Sequence, residues 1–207
     1  FRTFAGSYIT SIDVPASVTT LNQTFMDCSR LKTVTLHEGL TSFGVKVFLN
    51  CVALEEIVLP EGLTEIGSDV FSGCVNLQKV SIPSTLTKIG DNAFAGCTSL
   101  GKAEKFVMPA TLTSVGKNIF DGWTAEQKVY IEAGASDVYG KWSNAKESGY
   151  SFMVYAYVPS NGVDGYAKNT GATIIWNYKP ETTGKTEETG NTGTTGETEV
   201  TGGTTNE

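Results

Sequence analysis

Four cysteines stand at residues 28, 51, 74 and 97, so that each is 23 residues from the next. The segments around them are near copies of one another: "FLNCVALEEIVLPEGLTEIG" covers residues 48–67, "FSGCVNLQKVSIPSTLTKIG" covers 71–90, and "FAGCTSL" opens a third copy at Phe94. A fixed period of this length is typical of stacked repeats, in which each unit buries its apolar face against its neighbours. This period constrains the fold more than any other feature of the chain.

The first half of each unit has the spacing Leu-x-x-Leu-x-Leu, and its apolar residues alternate with polar ones, as in a strand with one buried face. That spacing at a period of 20–29 residues is typical of a leucine-rich-repeat solenoid. One unit fits only if three residues near "GKA" (101–103) bulge out before its strand. We count about six strands, at Ile9/Ile12/Val14, Leu31/Val34/Leu36, Leu54/Ile57/Leu59, Leu77/Val80/Ile82, Leu100/Phe106/Met108 and Val129/Ile131.

The second half of each unit is an apolar ladder that ends in a phenylalanine, with a glycine before that phenylalanine where a residue without a Cβ is needed. Short segments such as "SDVF" and "DNAF" then suit one helical or 3₁₀ turn. We therefore predict a right-handed coil with a parallel sheet on its concave face, short turns on its convex face and a C-terminal cap. The glycines are Gly44, Gly67, Gly90 and Gly116.

The pattern changes after Gly122. "YIEAGASDVYGK" (130–141) aligns without gaps on "YVPSNGVDGYAK" (157–168), which is a second repeat of 27 residues, and we predict a last strand near residues 172–178. All three tryptophans lie between Trp123 and Trp176, which favours a cap that seals the open end of the stack. We predict repeats over residues 1–122, degenerate repeats and a cap over 123–179, and a disordered Thr/Gly/Glu linker over 180–207.

The composition excludes several classes of function. The chain has 207 residues and a net charge of -7, which disfavours nucleic acid as a partner. No apolar run reaches the roughly 18 residues that a membrane span needs. The chain opens in mid-repeat without an initiator Met, so we expect missing N-terminal repeats and a monomer whose open strand edge invites self-association.

The recurring cysteine has three interpretations. We favour a small, buried apolar position in each coil, where a free thiol packs as a compact hydrophobe. Pairing of stacked neighbours as disulfides is the second interpretation. Metal binding is the third, although four ligands in a straight row do not form a tetrahedron.

Catalytic motifs are scarce, and we predict neither an enzyme nor a cofactor. His37 is the only histidine, and its "HEGL" context lacks the second histidine of a zinc-protease helix. It takes the position that Pro60 and Pro83 hold in the next two units, so a surface role at a strand end is favoured. Asp137 and Asp164, in the predicted cap, suit helix capping better than catalysis.

The outward face of the strands is the informative surface. One column of outward residues runs from Ser11 to Tyr155 and its neighbour from Asp13 to Tyr157, and both change from small polar to basic and aromatic side chains. Because tyrosine is enriched at interface hot spots, we predict a patch in the C-terminal half of this face that binds an acidic or polar partner. The candidate contact residues are Glu56, Lys79, Lys105, Val107, Lys128, Tyr130, Tyr155 and Tyr157. The alternative is that lysine and tyrosine only decorate a solvated sheet.

The unit F-x-x-C-x-x-L-x-x-V-x-I-P-x-x-L-T-x-I-G-x-x-x-F resembles the BspA-like leucine-rich repeats of bacterial surface proteins. Phe71, Cys74, Leu77, Val80, Ile82, Pro83, Leu86, Ile89, Gly90 and Phe94 fill its positions. The resemblance covers residues from about Ile9 to Gly122. It implies a secreted or cell-wall-attached bacterial protein that binds host proteins, such as extracellular matrix, or other cells.

These observations leave three functional hypotheses. The first is a non-enzymatic adhesion module that presents its concave sheet to host or cell-surface proteins. The second is a structural spacer within a larger surface protein, for which a featureless face would be expected. The third is an enzyme with its site in the cap, where a deep pocket lined by carboxylates would be expected.

Overall fold

The chain folds into short parallel strands that recur once per coil. The structure, a computed structural model, describes residues 2–124 and 126–132 and the backbone of residues 173–178. The first strand of each coil is β1 (Ser11–Asp13), β3 (Thr33–Thr35), β5 (Glu56–Val58), β7 (Lys79–Ser81), β9 (Phe106–Met108) or β11 (Lys128–Glu132). The second is β2 (Thr20–Leu21), β4 (Ser42–Phe43), β6 (Glu65–Ile66), β8 (Lys88–Ile89) or β10 (Ser114–Val115), and β12 is Thr173–Tyr178.

The register of the strands confirms the predicted solenoid. Ser11 pairs with Thr33, Glu56 with Lys79 and Val107 with Tyr130, all in parallel ladders. Residues one repeat apart in sequence are therefore neighbours in space. The predicted insertion is confirmed as well, because Lys102 to Lys105 lie exposed ahead of β9.

The first strands form three hydrogen-bonded groups, which are β1–β3, β5–β7 and β9–β11–β12. β3 and β5 lie side by side without belonging to one ladder. The insertion lies at the second interruption, between β7 and β9. The predicted parallel sheet is thus divided into three hydrogen-bonded parts.

The second strands form one continuous sheet in the order β2–β4–β6–β8–β10, which the sequence did not predict. The segments expected to make helical or 3₁₀ turns form turns instead, and no helix occurs in the part of the chain that the structure describes. Their amides bond to the following coil: Asp69 N–H donates to the Asp91 carbonyl at 2.8 Å and Phe71 N–H to the Ala93 carbonyl at 2.9 Å. Because these backbone amides donate to the following coil, they are not available for the hydrogen bonds of a helix.

A column of phenylalanines runs through the core. Neighbouring rings from Phe4 to Phe94 stack with centroids 5.4–5.7 Å apart and interplanar angles of 7–11°. Phe106, which holds the strand position of Val80 in the preceding unit, packs edge-on between Phe94 and Phe120, at 5.0 and 6.1 Å. The predicted phenylalanine column is confirmed, with a change of geometry at its C-terminal end. The stacked rings are Phe4, Phe25, Phe48, Phe71 and Phe94.

The glycine column packs tightly between coils. A Cβ on Gly67 would lie 2.6 Å from the carbonyl carbon of Gly44, and one on Gly90 would lie 2.6 Å from that of Gly67. The left-handed backbone of the turns occurs elsewhere, for example at Asn50 (φ 57°) and Gly96 (φ 72°). The column therefore needs glycine for close approach and not for a positive φ.

Every thiol of the cysteine column is buried and free. Each donates to a phenylalanine carbonyl of the preceding coil, as Cys51 does to Phe25 and Cys74 to Phe48, both at 3.1 Å. The interpretation as a compact buried residue agrees with this arrangement. Trp123 takes the same place one coil further on, where its Nε1–H donates to the Phe94 carbonyl at 2.9 Å.

β12 lies directly beside β11, with Lys128 paired to Thr173 and Tyr130 to Ile175. A strand near residues 172–178 was predicted, and this prediction is confirmed. The 27-residue repeat, Asp137 and Asp164, most of the cap and the linker over 180–207 lie outside the described residues. The domain boundaries therefore stay predictions.

Candidate functional site

An open groove of about 980 Å³ crosses the outward face of β3, β5 and β7. Its floor consists of outward side chains of the three strands, which include Thr35, Glu56, Val58 and Lys79. One rim is made by residues that precede the strands and the other by residues that follow them. We call this site the acidic groove; its charged lining residues are Lys32, Glu38, Glu55, Glu56, Glu61, Lys79 and Glu104.

Negative charge dominates the acidic groove. Five glutamates and two lysines line it, which leaves a net charge of -3. The ion pairs of the described chain are His37–Asp13, Lys88–Glu65 and Lys102–Glu126, and none of them involves a lining residue of the groove. Only Glu61 is anchored, because its Oε2 accepts hydrogen bonds from the Ser84 amide at 3.2 Å and hydroxyl at 3.0 Å.

An apolar side chain stands in the middle of this charged floor. Val58 is 66% exposed, although valine in a strand of this kind is usually turned toward the core. Its neighbours in sequence, Ile57 and Leu59, are buried, as the alternation of the strand requires. The acidic groove therefore combines peripheral carboxylates with an apolar contact point at its centre.

A second chemical environment lies on β9 and β11. The Lys105 ammonium stands 5.8 Å from the centroid of the Tyr130 ring, at the limit of a cation–π contact. Tyr130 pairs in register with Val107, and Lys128 is exposed two residues before it. We call Lys105, Val107, Lys128 and Tyr130 the basic patch.

The structure divides the predicted contact residues between these two surfaces. Glu56 and Lys79 are a registered pair inside the acidic groove, one strand group away from the basic patch. The prediction placed Tyr155 beside Lys128, but that place in the sheet belongs to Thr173 of β12. Tyr155 and Tyr157 themselves lie outside the described residues.

Sequence reasoning missed four of the five glutamates of the acidic groove. Glu38, Glu55, Glu61 and Glu104 lie just before or after the strands, whereas only strand positions were considered. A signal was present in the repeats, since Glu38 and Glu61 hold equivalent places in "HEGL" and "PEGL". The 23-residue period therefore indicated that these two glutamates would stack on one rim of the groove.

The remaining candidates carry no reaction chemistry in the described structure. His37 lies at the surface after β3, where its Nε2 is 2.6 Å from Oδ1 of Asp13, and this agrees with the predicted strand-end role. Burial raises the pKa of the Cys51, Cys74 and Cys97 thiols above the ordinary value of 9.0, so they stay neutral and poorly nucleophilic. Within the described ranges, no group of three or more His, Cys, Asp or Glu side chains is arranged to hold a metal ion.

The repeats also match a known family model. The model for the BspA type leucine rich repeat region matches residues 1–135 in 6 copies. The chain belongs to the BspA-type leucine-rich repeat family. Leucine-rich repeat arrays of this bacterial surface type serve in general as protein-binding scaffolds and not as enzymes. No curated protein matches the sequence.

Solved structures of bacterial leucine-rich repeat proteins resemble the fold. A leucine rich repeat protein of T. pallidum is 25% identical, with a TM-score of 0.50, over 72% of this chain and 75% of that one. The pneumococcal vaccine antigen PcpA is 29% identical, with a TM-score of 0.51, over 63% of this chain and 32% of the antigen. A leucine rich cell surface protein from Faecalibacterium prausnitzii is 25% identical over 60% of this chain and 39% of that one, with a TM-score of 0.46.

The part of the chain that the structure describes contains no candidate membrane span. None of its segments forms a helix long and apolar enough to cross a bilayer.

Proposed function

We propose that the chain is a non-enzymatic module of a bacterial surface protein, and that it binds a protein partner through the outward face of its first strands. The observation that carries this proposal is the acidic groove, a hollow of about 980 Å³ on that face with exposed Val58 at its centre. A groove with an apolar centre and a charged periphery has the composition of a protein contact site.

The family supports the location and the class of function. BspA-type repeats cover residues 1–135, and one structural relative is a pneumococcal vaccine antigen. We propose accordingly that the protein is secreted or attached to the cell surface. Its partner would be a protein of host extracellular matrix or of another cell, and adhesion would follow from that contact.

The basic patch remains a second proposed contact surface. It offers Lys105, Lys128 and the Tyr130 ring to an acidic or polar region of a partner, as the sequence predicts. The acidic groove and the basic patch have opposite charge and lie on neighbouring strand groups, so a single partner touching both would need complementary charges in the same order.

A capture experiment with extracellular matrix proteins tests the proposal. The immobilised chain carries Glu56→Lys with Val58→Asp in one variant, Lys105→Glu with Tyr130→Ala in a second, and Glu65→Lys with Ser42→Asp in a control. The control residues lie on β6 and β4 of the other sheet. Thermal melting first establishes that each variant is folded.

We expect the wild type and the control to capture the same matrix protein, and at least one of the face variants to lose it. If both face variants capture that protein as well as the wild type does, the outward face is not the contact surface. If the wild type captures nothing, the hypothesis of a structural spacer is favoured, because a spacer needs only the rigid stack of coils.

A further inference from the structure

We propose that the acidic groove binds an extended cationic segment of the partner protein, with lysine or arginine side chains on both sides and a small apolar residue over Val58. This inference rests on the proposed function and adds the chemical class of the bound segment. It differs from the sequence prediction, which expected an acidic or polar partner at the basic patch.

The positions of the carboxylates support a ligand with positive charge on two sides. Glu55 and Glu104 lie on the rim that precedes the strands, and Glu38 and Glu61 lie on the opposite rim. Glu56 adds a carboxylate to the floor between them. A segment that runs along the floor would therefore meet carboxylates on either side of its backbone.

These carboxylates are not neutralised within the described chain. None of the five glutamates forms an ion pair there, and Lys79 does not pair with Glu56 although the two are registered neighbours. These side chains leave a net charge of -3 in the groove, which a cationic ligand would compensate. Each exposed ion pair typically contributes about 1.4- to 5-fold in affinity, so several together give useful binding.

Other classes of ligand fit the groove less well. A metal ion needs several ligands within one coordination shell, and the described side chains include no such group of three. A nucleic acid would be repelled by the net charge of -3. An extended peptide fits, because its side chains alternate from one side to the other and so reach both rims.

The size of the groove agrees with a short segment. Neighbouring strands lie about 4.8 Å apart and an extended chain rises about 3.3 Å per residue, so roughly three to four residues cross β3, β5 and β7. The residue at the centre of that crossing would lie over Val58, where a small apolar side chain makes a favourable contact. Because successive side chains of an extended chain point to opposite sides, the proposed motif has two adjacent basic residues, one for each rim, next to a small apolar residue.

Fluorescence anisotropy with synthetic peptides tests the inference on the whole chain. The probe is a labelled peptide in which pairs of adjacent lysines are separated by single valines, so that lysine side chains point to both sides, and the control probe has glutamate in place of lysine. The groove variant is Glu55→Gln with Glu56→Gln. The matched control is Glu65→Gln with Glu126→Gln, which removes the same charge from two glutamates that do not line the groove.

We expect the lysine peptide to bind the wild type and the control at low ionic strength, and to bind the groove variant about five- to tenfold more weakly. Its affinity should fall with added salt, whereas the glutamate peptide should not bind. Equal weakening by the control pair would overturn the inference, because it would show attraction to net charge alone. Binding of the glutamate peptide would overturn it as well.

This experiment can fail without affecting the proposed function. If the lysine peptide does not bind the wild type, while the captured matrix protein is still lost in the variant with Glu56→Lys and Val58→Asp, the cationic class is wrong and the contact surface stands. If the capture is also unaffected by the face variants, both proposals fail.

Discussion

At the scale of single residues, each repeated position of the 23-residue unit has its own physical task. The phenylalanine position builds the aromatic stack, the cysteine position bonds to the carbonyl of an earlier coil, and the glycine position lets two coils approach. Phe71 and Cys74 illustrate this, because both are completely buried and both contact Phe48 of the preceding coil. Phe71 stacks on its ring, and the Cys74 thiol donates to its carbonyl. A substitution at such a position therefore affects more than one coil.

Replacing Phe71 with alanine should destabilise the protein by about 3–5 kcal/mol, since truncation leaves a cavity between two stacked rings. Urea denaturation measures the loss. Val45→Ala is a suitable control, because Val45 is 38% exposed and should change the free energy of unfolding by less than about 0.5 kcal/mol. Equal effects of the two substitutions would contradict the register of the core.

The buried thiols should make the protein less stable at high pH. Unfolded cysteines ionise near pH 9.0, whereas burial raises the pKa of Cys51, Cys74 and Cys97 in the folded state. Their stabilising contribution is therefore complete below pH 9.0 and is lost as the pH rises above it. The expected slope is about 1.4 kcal/mol per pH unit for each thiol.

Urea denaturation at a series of pH values from 8 to 10 provides the measurement. The control is the variant with all three of these cysteines replaced by alanine, which should lose free energy of unfolding more slowly across the same range. Parallel curves for the two proteins would show that the thiols ionise freely in the folded state.

At the scale of elements, the last described coil differs from the others. Trp123 replaces the repeated cysteine there, and Gln127 is completely buried although it is polar. The Gln127 amide nitrogen donates to the carbonyls of Cys97 at 2.9 Å and Leu100 at 2.8 Å. A buried side chain therefore links this segment to the coil before it.

Gln127→Leu should therefore destabilise the protein by about 1–4 kcal/mol, because it leaves the Leu100 carbonyl without this donor and leaves the Cys97 carbonyl with the Leu100 amide alone. Gln78→Leu is the matched control, since Gln78 is exposed and its replacement should have little effect on the free energy of unfolding. Thermal melting of the two variants separates a structural glutamine from a surface one. Melting temperatures lowered to the same extent would contradict the role given to Gln127.

The sequence predicted the elements that repeat and missed those that depend on contacts between coils. The strands at Val34 and Ile57 follow from alternation within a single unit, so their bounds could be predicted. The two-residue strands at Phe43 and Ile66 are stabilised only by their neighbours in adjacent coils, and no local pattern indicates them. The place of β12 beside β11 could not be predicted either, because the period had already ended.

The candidate site was predictable only in part for the same reason. Glu56 and Lys79 were found because they occupy outward strand positions. Glu38 recurs one period later as Glu61 and could have been found in the same way, whereas Glu104 follows the insertion at 101–103, where the period is interrupted. The charge of the acidic groove was therefore only partly visible in the columns.

At the scale of the whole molecule, stability and the proposed binding use opposite sides of the same strands. Inward side chains form one continuous core from Val14 to Ile131, whereas outward side chains vary from coil to coil. Each coil contacts chiefly its neighbours, so the outward residues can change without disturbing the core. Such an array presents a variable surface on a constant support.

The stacking of residues one repeat apart is the central claim, and proton NMR tests it most directly. In a sample with only its phenylalanines protonated, nuclear Overhauser effects should connect the rings of Phe25 and Phe48, of Phe48 and Phe71, and of Phe71 and Phe94, whose centroids are 5.4–5.5 Å apart. No effect should connect Phe48 with Phe94, which lie two coils apart. Absence of the contact between Phe48 and Phe71, or a strong contact between Phe48 and Phe94, would contradict the account.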